Sequence, residues 1–443
     1  MKRPALPQDV RALAALALHE VFDQGRSLSQ VLPEYSQACP ERDRGLLKEL
    51  CFGSLRYATT YLLVLQELIP TPLKRKDGDV QALLLMGLYQ LEHTRIPDHA
   101  ALSATVEASR LLHKDWAAGF INGVLRRYQR ERELLAEKFA KNPNYRYAHP
   151  QWLLDRIRSA WPDHWQEVLE ANNQHPPMTL RVNSQKTDRA TYLAKLAAAE
   201  IDASPCAYSP VGITLAEALP VEALPGFSEG EISVQDEAAQ LAAYLVAPKA
   251  GERLLDACCA PGGKTCHLLE IAPAADLLAI DIDPTRLQRV TENLDRLGLE
   301  AQLKAWDLTD VNGWWDGREF DAILLDAACS ATGVVRRHPD IKHLRRASDL
   351  APLAKLQQRL LKALWQTLKP GGRLVYATCS VLPDENSKQV QEFLRLQPDA
   401  EHSELAVDWG IPQAFGRQLL PQAGGQDGFY YAVLHKAERS NGS

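Results

Sequence analysis

From about residue 233 onward, short apolar runs alternate with helix-length amphipathic stretches, and nothing else in the chain constrains its fold as strongly. The runs at 254–256, 277–281, 322–326 and 373–377 place apolar residues at successive positions, as strands buried on both faces do. Helical stretches lie between them. In one, 350–368, Leu353, Leu356, Leu360, Leu361 and Leu364 share a single stripe. This alternation predicts a doubly wound α/β sheet over 233–437. The carboxyl ends of the strands line the ligand crevice of such a sheet, so the residues that close each run are the first candidates for function.

Two of the runs end alike. The run 320–326 closes on Asp326 and continues Ala327-Ala328-Cys329-Ser330, with Gly333 shortly after; the run 373–377 continues Thr378-Cys379-Ser380. The predicted sheet brings both thiols and Asp326 to one edge, although the cysteines lie fifty residues apart. A thiolate is a strong carbon nucleophile near neutral pH. A second thiol beside an acid suits chemistry with an attack step and a release step. The plainer reading is a pair of ordinary buried cysteines, since free cysteine is among the most buried residue types. Two such similar settings favour chemistry, but spacing alone does not say which thiol attacks.

The first run leads into Asp256-Ala-Cys258-Cys259-Ala260-Pro261-Gly262-Gly263-Lys264-Thr265, a strand, a glycine turn and a helix start. The loop lacks the dinucleotide Gly-x-Gly-x-x-Gly spacing. Cys258 stands where a phosphate-binding Walker loop needs its first glycine, so Lys264-Thr265 does not signal ATP. Asp281 ends the second run and can hold two ribose hydroxyls; Asp307 ends the next and can face an adenine edge. Together they fit a nucleoside without a pyrophosphate, with S-adenosylmethionine the leading candidate. Cys258, Cys259, Cys266 and His267 lack paired Cys-x-x-Cys spacing, and no metal site is expected.

The front of the chain reads differently. Residues 5–140 show helical spacing throughout, as in Leu13, Ala14, Ala17, Leu18 and Val21, then over 41–68, 80–93 and 100–130. A helical bundle over 1–142 follows. Prolines crowd 143–177 and mark a connector; short apolar segments and a helix at 189–199 make 143–232 a linker with a small α+β subdomain. Residues 438–443 read as a flexible tail. A length of 443 residues suits roughly three domains.

Net charge is −6, but residues 1–150 carry 21 Lys+Arg against 17 Asp+Glu, while the remainder carries 29 against 39. An acidic body with a mildly basic front excludes a wholly basic nucleic-acid coat and leaves contact by local patches. The candidates are Arg126, Arg127 and Arg130 in the front, and Arg336, Arg337, Lys342, Arg345 and Arg346 just after the first cysteine motif. The start has no signal-type apolar region and no run is of membrane-spanning length, so eight cysteines in a long chain read as free thiols of a cytoplasmic protein.

Cys-Cys-Ala-Pro-Gly-Gly-Lys-Thr at 258–265, Asp281, Asp307, Asp-Ala-Ala-Cys-Ser-Ala-Thr-Gly at 326–333 and Ala-Thr-Cys-Ser at 377–380 resemble the motifs of the RNA cytosine-C5 methyltransferase family. Within it the chain is most similar to the bacterial Sun/Fmu type, because its helical front resembles the NusB fold. The cues there are 49–56, 88–91, 95–101 and 121–126. The resemblance covers nearly the whole chain and implies a class I, Rossmann-like methyltransferase domain. It further implies S-adenosylmethionine held by Cys258, Cys259, Ala260, Pro261, Gly262, Gly263, Lys264, Asp281, Asp307 and Asp326.

By the same resemblance Cys379 attacks C6 of cytosine, Asp326 meets the N3 edge, and Cys329 assists removal of the C5 proton. The implied partner is 16S ribosomal RNA, free or partly assembled, bound by a monomer. A base must leave its stack to be reached in this way. A tRNA methyltransferase and a non-catalytic RNA-binding assembly factor are the alternatives. Ala328 stands where the family usually has proline, which would stiffen the loop before Cys329.

Overall fold

The computed structural model describes residues 6–438 and divides into two compact units. One comprises residues 1–174 together with 335–347, the other 175–334 together with 348–443. Among the described residues no helix is long and apolar enough to cross a membrane. Beyond Glu438, the tail read from the sequence lies outside the described residues.

The first unit is helical: Val10–Gln24, Leu28–Ala38, Arg44–Leu68, Gly78–His93, Asp98–Leu111 and Asp115–Phe139, then Pro143–Tyr147, Gln151–Ala160 and Trp165–Asn172. Asp9 opens the first helix by accepting from the N–H groups of Arg11 and Ala12 at 3.0 and 2.9 Å, and Gly25 closes it. Ala12, Ala14, Ala15 and Ala17 are wholly buried with Leu13 and Leu18, so neighbouring elements approach this helix on several sides. The single stretch read over 100–130 is two helices. His113 adopts φ 58°, and the Lys114 N–H turns back to the Ser109 carbonyl at 2.8 Å.

The prolines of 143–177 do not make a connector. Pro143 occupies the first turn of Pro143–Tyr147 behind an Asn142 cap, and Pro150 precedes Gln151–Ala160, so both open helices rather than end them. The first unit therefore runs to Gln174 instead of stopping at 142.

Residues 335–347 belong to this helical unit, and that overturns part of the expected basic patch. Lys342, in the short helix Ile341–Leu344, is buried and donates to the carbonyls of Arg56 (2.9 Å) and Ala148 (3.0 Å) and to Asn173 Oδ1. The Arg336 side chain is fully buried, and its carbonyl accepts from Arg56 Nη2 at 3.0 Å. Asp340 accepts from the Leu28 N–H at 3.0 Å, and His343 Nε2 meets the Leu55 carbonyl at 2.8 Å. Arg336 and Lys342 thus face the interior, where no phosphate reaches them. Arg337 and Arg345 are half-buried and Arg346 is exposed.

The second unit holds two sheets. The smaller is antiparallel, in the order β2-β3-β1-β4, from β1 (Thr179–Val182), β2 (Ala203–Pro205), β3 (Gly212–Leu215) and β4 (Ile232–Val234). The helix Arg189–Ala198 accompanies it, as read. The larger sheet contains β5 (Arg253–Ala257), β6 (Asp276–Asp281), β7 (Gln302–Ala305), β8 (Phe320–Asp326), β9 (Leu368–Thr378), β10 (Ala400–Ser403), β11 (Ile411–Pro412), β12 (Arg417–Leu419) and β13 (Phe429–Lys436). Its order is β11-β12-β13-β9-β8-β5-β6-β7, with β10 also paired to β13.

Strands β5 to β9 run parallel, as the apolar runs predict. The other four make it a mixed sheet: β13 pairs antiparallel with β9 from Tyr430 opposite Thr378 to His435 opposite Arg373. Chain order reverses direction at β5, whose neighbours are β6 and β8, so the crevice opens beside the carboxyl end of β5. A fully buried ion pair ties the two sheets of this unit together. Arg181 on β1 grips Glu270, in the helix Gly263–Ile271, through two bonds of 2.9 and 2.6 Å.

Candidate active site

Five loops leave the carboxyl ends of β5 to β9, and their side chains converge on one cavity of about 260 Å³. Its wall includes Cys258, Ala260, Asp281, Asp307, Asp326, Cys329 and Cys379. Sequence reasoning missed Ile282, Arg286, Trp306 and Leu308, which line it as well. Ile282 and Trp306 are large apolar groups left 68% and 40% exposed on that wall. Their position directly after Asp281 and directly before Asp307 was the available signal.

The glycine loop is shaped by close contacts. Gly262 adopts φ 98°, and a β-carbon there would lie 3.0 Å from the Val290 Cα, so only glycine fits both conformation and space. Asp281 Oδ2 accepts from the Ala260 N–H at 3.1 Å while its Oδ1 accepts from the Asp283 N–H at 3.0 Å. Arg286 Nη2 reaches the Ala260 carbonyl at 2.7 Å. Cys259, Pro261, Gly262, Gly263 and Lys264 are not on the cavity wall; four of them build the turn, and Lys264 stands behind the wall, bonded to Asp326. Asp307 Oδ1 accepts from the N–H and hydroxyl of Thr309 at 2.9 and 2.8 Å, which holds its carboxyl below the usual carboxylate range.

Lys264 donates to Asp326 Oδ2 at 2.6 Å and sits 4.9 Å from the centroid of the Phe429 ring. Burial works against its charge, but Asp326 outweighs burial and the ammonium is held above its ordinary pKa. For Asp256, beneath the loop, burial outweighs the pull of Lys264. Asp256 accepts from the Thr265 hydroxyl at 2.6 Å, its other oxygen has no hydrogen-bond partner, and burial pushes its carboxyl up to about 7.

The two thiols meet. Cys329 Sγ lies 3.5 Å from Cys379 Sγ. Cys329 is buried and Cys379 is half-exposed. The neighbouring Cys379 and then burial raise the Cys329 thiol well above its ordinary pKa. Behind them the loops interlock at Gly333, whose N–H donates to the Cys379 carbonyl at 2.8 Å and whose carbonyl accepts from the Gly428 N–H at 2.9 Å. A β-carbon on Gly333 would come within 2.1 Å of the Gly428 oxygen. Ala328, in place of proline, is fastened from outside: its carbonyl accepts from Gln357 Nε2 at 3.0 Å.

Of the residues read as RNA contacts in the front, Arg126 and Arg130 are exposed, and Arg126 bonds Asn122. Arg127 is engaged internally, pairing with Glu131 at 2.9 Å and donating to the Leu68 carbonyl at 3.0 Å.

The chain matches the NusB family over residues 8–130, the ferredoxin-like domain of RsmF/B-like methyltransferases over 149–222, and the 16S rRNA methyltransferase RsmB/F family over 243–435. Ribosomal RNA small subunit methyltransferase B of Pseudomonas putida is 54% identical over 433 residues, 98% of this chain and 99% of that protein. The crystal structure of PH0851 superposes with a TM-score of 0.80 at 23% identity, covering 98% of this chain and 100% of that one. A methyltransferase homolog from Pyrococcus horikoshii gives 0.59 at 28% identity, covering 66% of this chain and 97% of the other.

Proposed function

The chain belongs to the 16S rRNA methyltransferase RsmB/F family, and from that premise we propose that it methylates C5 of a cytosine in 16S ribosomal RNA, with S-adenosylmethionine as donor and a covalent intermediate through Cys379. The observation that carries this reading is the pair of thiols 3.5 Å apart, sharing one cavity with Asp326.

The residues present fit the donor. Asp281 offers a carboxylate for ribose hydroxyls, and Ile282 and Trp306 offer apolar surface for a base. Bound there, S-adenosylmethionine supplies an electrophilic methyl group on a sulfonium. The chain supplies the rest. Cytosine C5 is a poor nucleophile until aromaticity is broken. The Cys379 thiolate adds to C6, and the C5=C6 electron pair becomes available at C5. Asp326 takes a proton from the Lys264 ammonium that donates to it and passes it to the N3 edge as charge develops there. After methylation Cys329, having released its own proton to solvent, accepts the C5 proton. The C–H electron pair re-forms the double bond, the C6–S bond breaks, and Cys379 leaves as thiolate.

Denaturing gels after reaction with 16S rRNA and S-adenosylmethionine test the reading. Cys329→Ala should attack but release poorly and give a trapped protein–RNA adduct. Cys379→Ala should give none and transfer no methyl group. The reverse pattern would exchange the two thiols; methylation at another atom with no adduct from either variant would overturn the mechanism.

A further inference from the structure

The turn Pro383–Glu385 follows the second cysteine by a few residues, and it carries a carboxylate that the mechanism above does not use. Glu385 is fully buried. One oxygen accepts from the Ser330 N–H at 2.8 Å and from Gln357 Nε2 at 3.3 Å. The other accepts from the hydroxyls of Ser380, at 2.6 Å, and of Ser330. Ser330 follows Cys329 directly, and Ser380 follows Cys379 directly. A single side chain therefore joins the two cysteine loops at equivalent points.

The surroundings brace that bridge. Thr332 Oγ1 lies 3.0 Å from Ser380 Oγ and accepts from the Val381 N–H at 3.1 Å. Gln357 bonds Glu385 and the Ala328 carbonyl at once, fastening the residue before Cys329 to the same carboxylate. The Glu385 carbonyl is itself held by the Tyr376 hydroxyl at 2.7 Å. An ionised carboxylate only accepts hydrogen bonds, and every group aimed at this one donates.

We propose that Glu385 is a positioning residue for methyl transfer: by bridging Ser330 and Ser380 it holds Cys329 and Cys379 at contact distance. The inference rests on the reading that both thiols serve the reaction. Two consequences follow from the geometry. Without the bridge the loops keep the Gly333 bond and the contacts of Thr332 and Ser330 with Ser380 and Val381, but lose their one charged tie, so the thiol separation loosens. Glu385 also adds to the contact with Cys379 and the burial that raise the Cys329 thiol above its ordinary pKa.

The test compares Glu385→Gln and Glu385→Asp with the parent in the full-length protein, using S-adenosylmethionine and 16S rRNA. Glutamine preserves size but replaces one acceptor oxygen by an amino group. Turnover by Glu385→Gln should fall about 10²-fold, the scale of a misplacement near 1 Å. Cofactor affinity by calorimetry should stay that of the parent, and Glu385→Asp, which keeps the charge on a shorter arm, should recover part of the rate.

The second readout is alkylation of Cys329 by iodoacetamide against pH, in a Cys379→Ala background. Its midpoint should move to lower pH when Glu385→Gln is added, a shift that loss of packing alone would not give. Parent-like turnover, or an unmoved alkylation midpoint, would overturn the proposal. If Glu385→Gln does not fold, Ser380→Ala removes one arm of the bridge and should slow turnover about tenfold; unchanged turnover would overturn the proposal in turn. Failure of the parent to methylate cytosine C5 sinks the underlying reading instead, and the alkylation midpoint still reports on the bridge.

Discussion

Two buried lysines show how differently the two units use a charge. Lys264, at the crevice of the second unit, has a carboxylate 2.6 Å away and is held above its ordinary pKa. Lys342, in the helical unit, faces carbonyl and amide oxygens only, and burial followed by the nearby Arg56 pushes it well below its ordinary value. Both lie in stretches that look alike in the sequence, beside motifs of evident function. One keeps its charge ready for chemistry. The other spends its donors on closing gaps between backbone carbonyls. A lysine's role thus follows from whether its partner is ionised, which burial alone does not reveal.

The comparison breaks most visibly at Lys264. Lys264→Met removes the cation from Asp326 and from the neighbourhood of Cys379, and turnover should fall roughly 10²-fold or more, the usual cost of losing one electrostatic stabiliser. An unchanged rate would mean that the charge of Lys264 is as idle as that of Lys342.

Lys342→Met should have the opposite profile. It leaves the carbonyls of Arg56 and Ala148 and the Asn173 oxygen short of a donor. At about 1–3 kcal/mol for each buried acceptor left unpaired, the helical unit should lose about 3 kcal/mol or more, read as a lower denaturant midpoint. Turnover per folded molecule should hold. A loss of phosphate-dependent RNA affinity without a loss of stability would restore Lys342 to the RNA surface.

Asp256 extends the contrast to a buried carboxyl whose ionisation burial opposes more than the nearby Lys264 favours it. Its folded carboxyl is raised to about 7, so its contribution to stability is present below about pH 4 and is lost as pH rises through 7. Relative to Asp256→Asn, the parent should lose at most about 4 kcal/mol between those limits and nothing further above them. Parallel melting curves for the two proteins from pH 4 to 8 would show that Asp256 ionises freely.

The smallest effect belongs to the outward arginines of the 335–347 segment. Replacing Arg345 and Arg346 together by alanine should flatten the dependence of log RNA affinity on log salt by about one to two units, at roughly 0.7–0.9 per phosphate contact. Cofactor affinity should not move. An unchanged salt slope would leave Arg337 as the segment's remaining candidate for RNA contact, since Arg336 and Lys342 are already committed inside.

Much of the molecule was legible because its signals are local. Four of the five parallel strands announce themselves as apolar runs, and the glycine loop, Asp281, Asp326, Cys329 and Cys379 fall at or just beyond their ends, while Asp307 follows the short polar strand β7. Strand ends share an edge in any parallel sheet, so their convergence required no knowledge of side-chain packing.

What the sequence by itself determined, then, is the parallel sheet, the helical front and the list of groups at the crevice. Tertiary structure alone decided how those groups pair. That β13 inserts beside β9, that 143–174 folds with the front, and that 335–347 leaves one unit to complete the core of the other are pairings between residues far apart in the chain. So is the bridge from Glu385 to Ser330, fifty-five residues away. Hydrophobic period and turn chemistry act over a few neighbours, whereas the state of a buried charge depends on whichever partner the completed fold brings within about 3 Å of it.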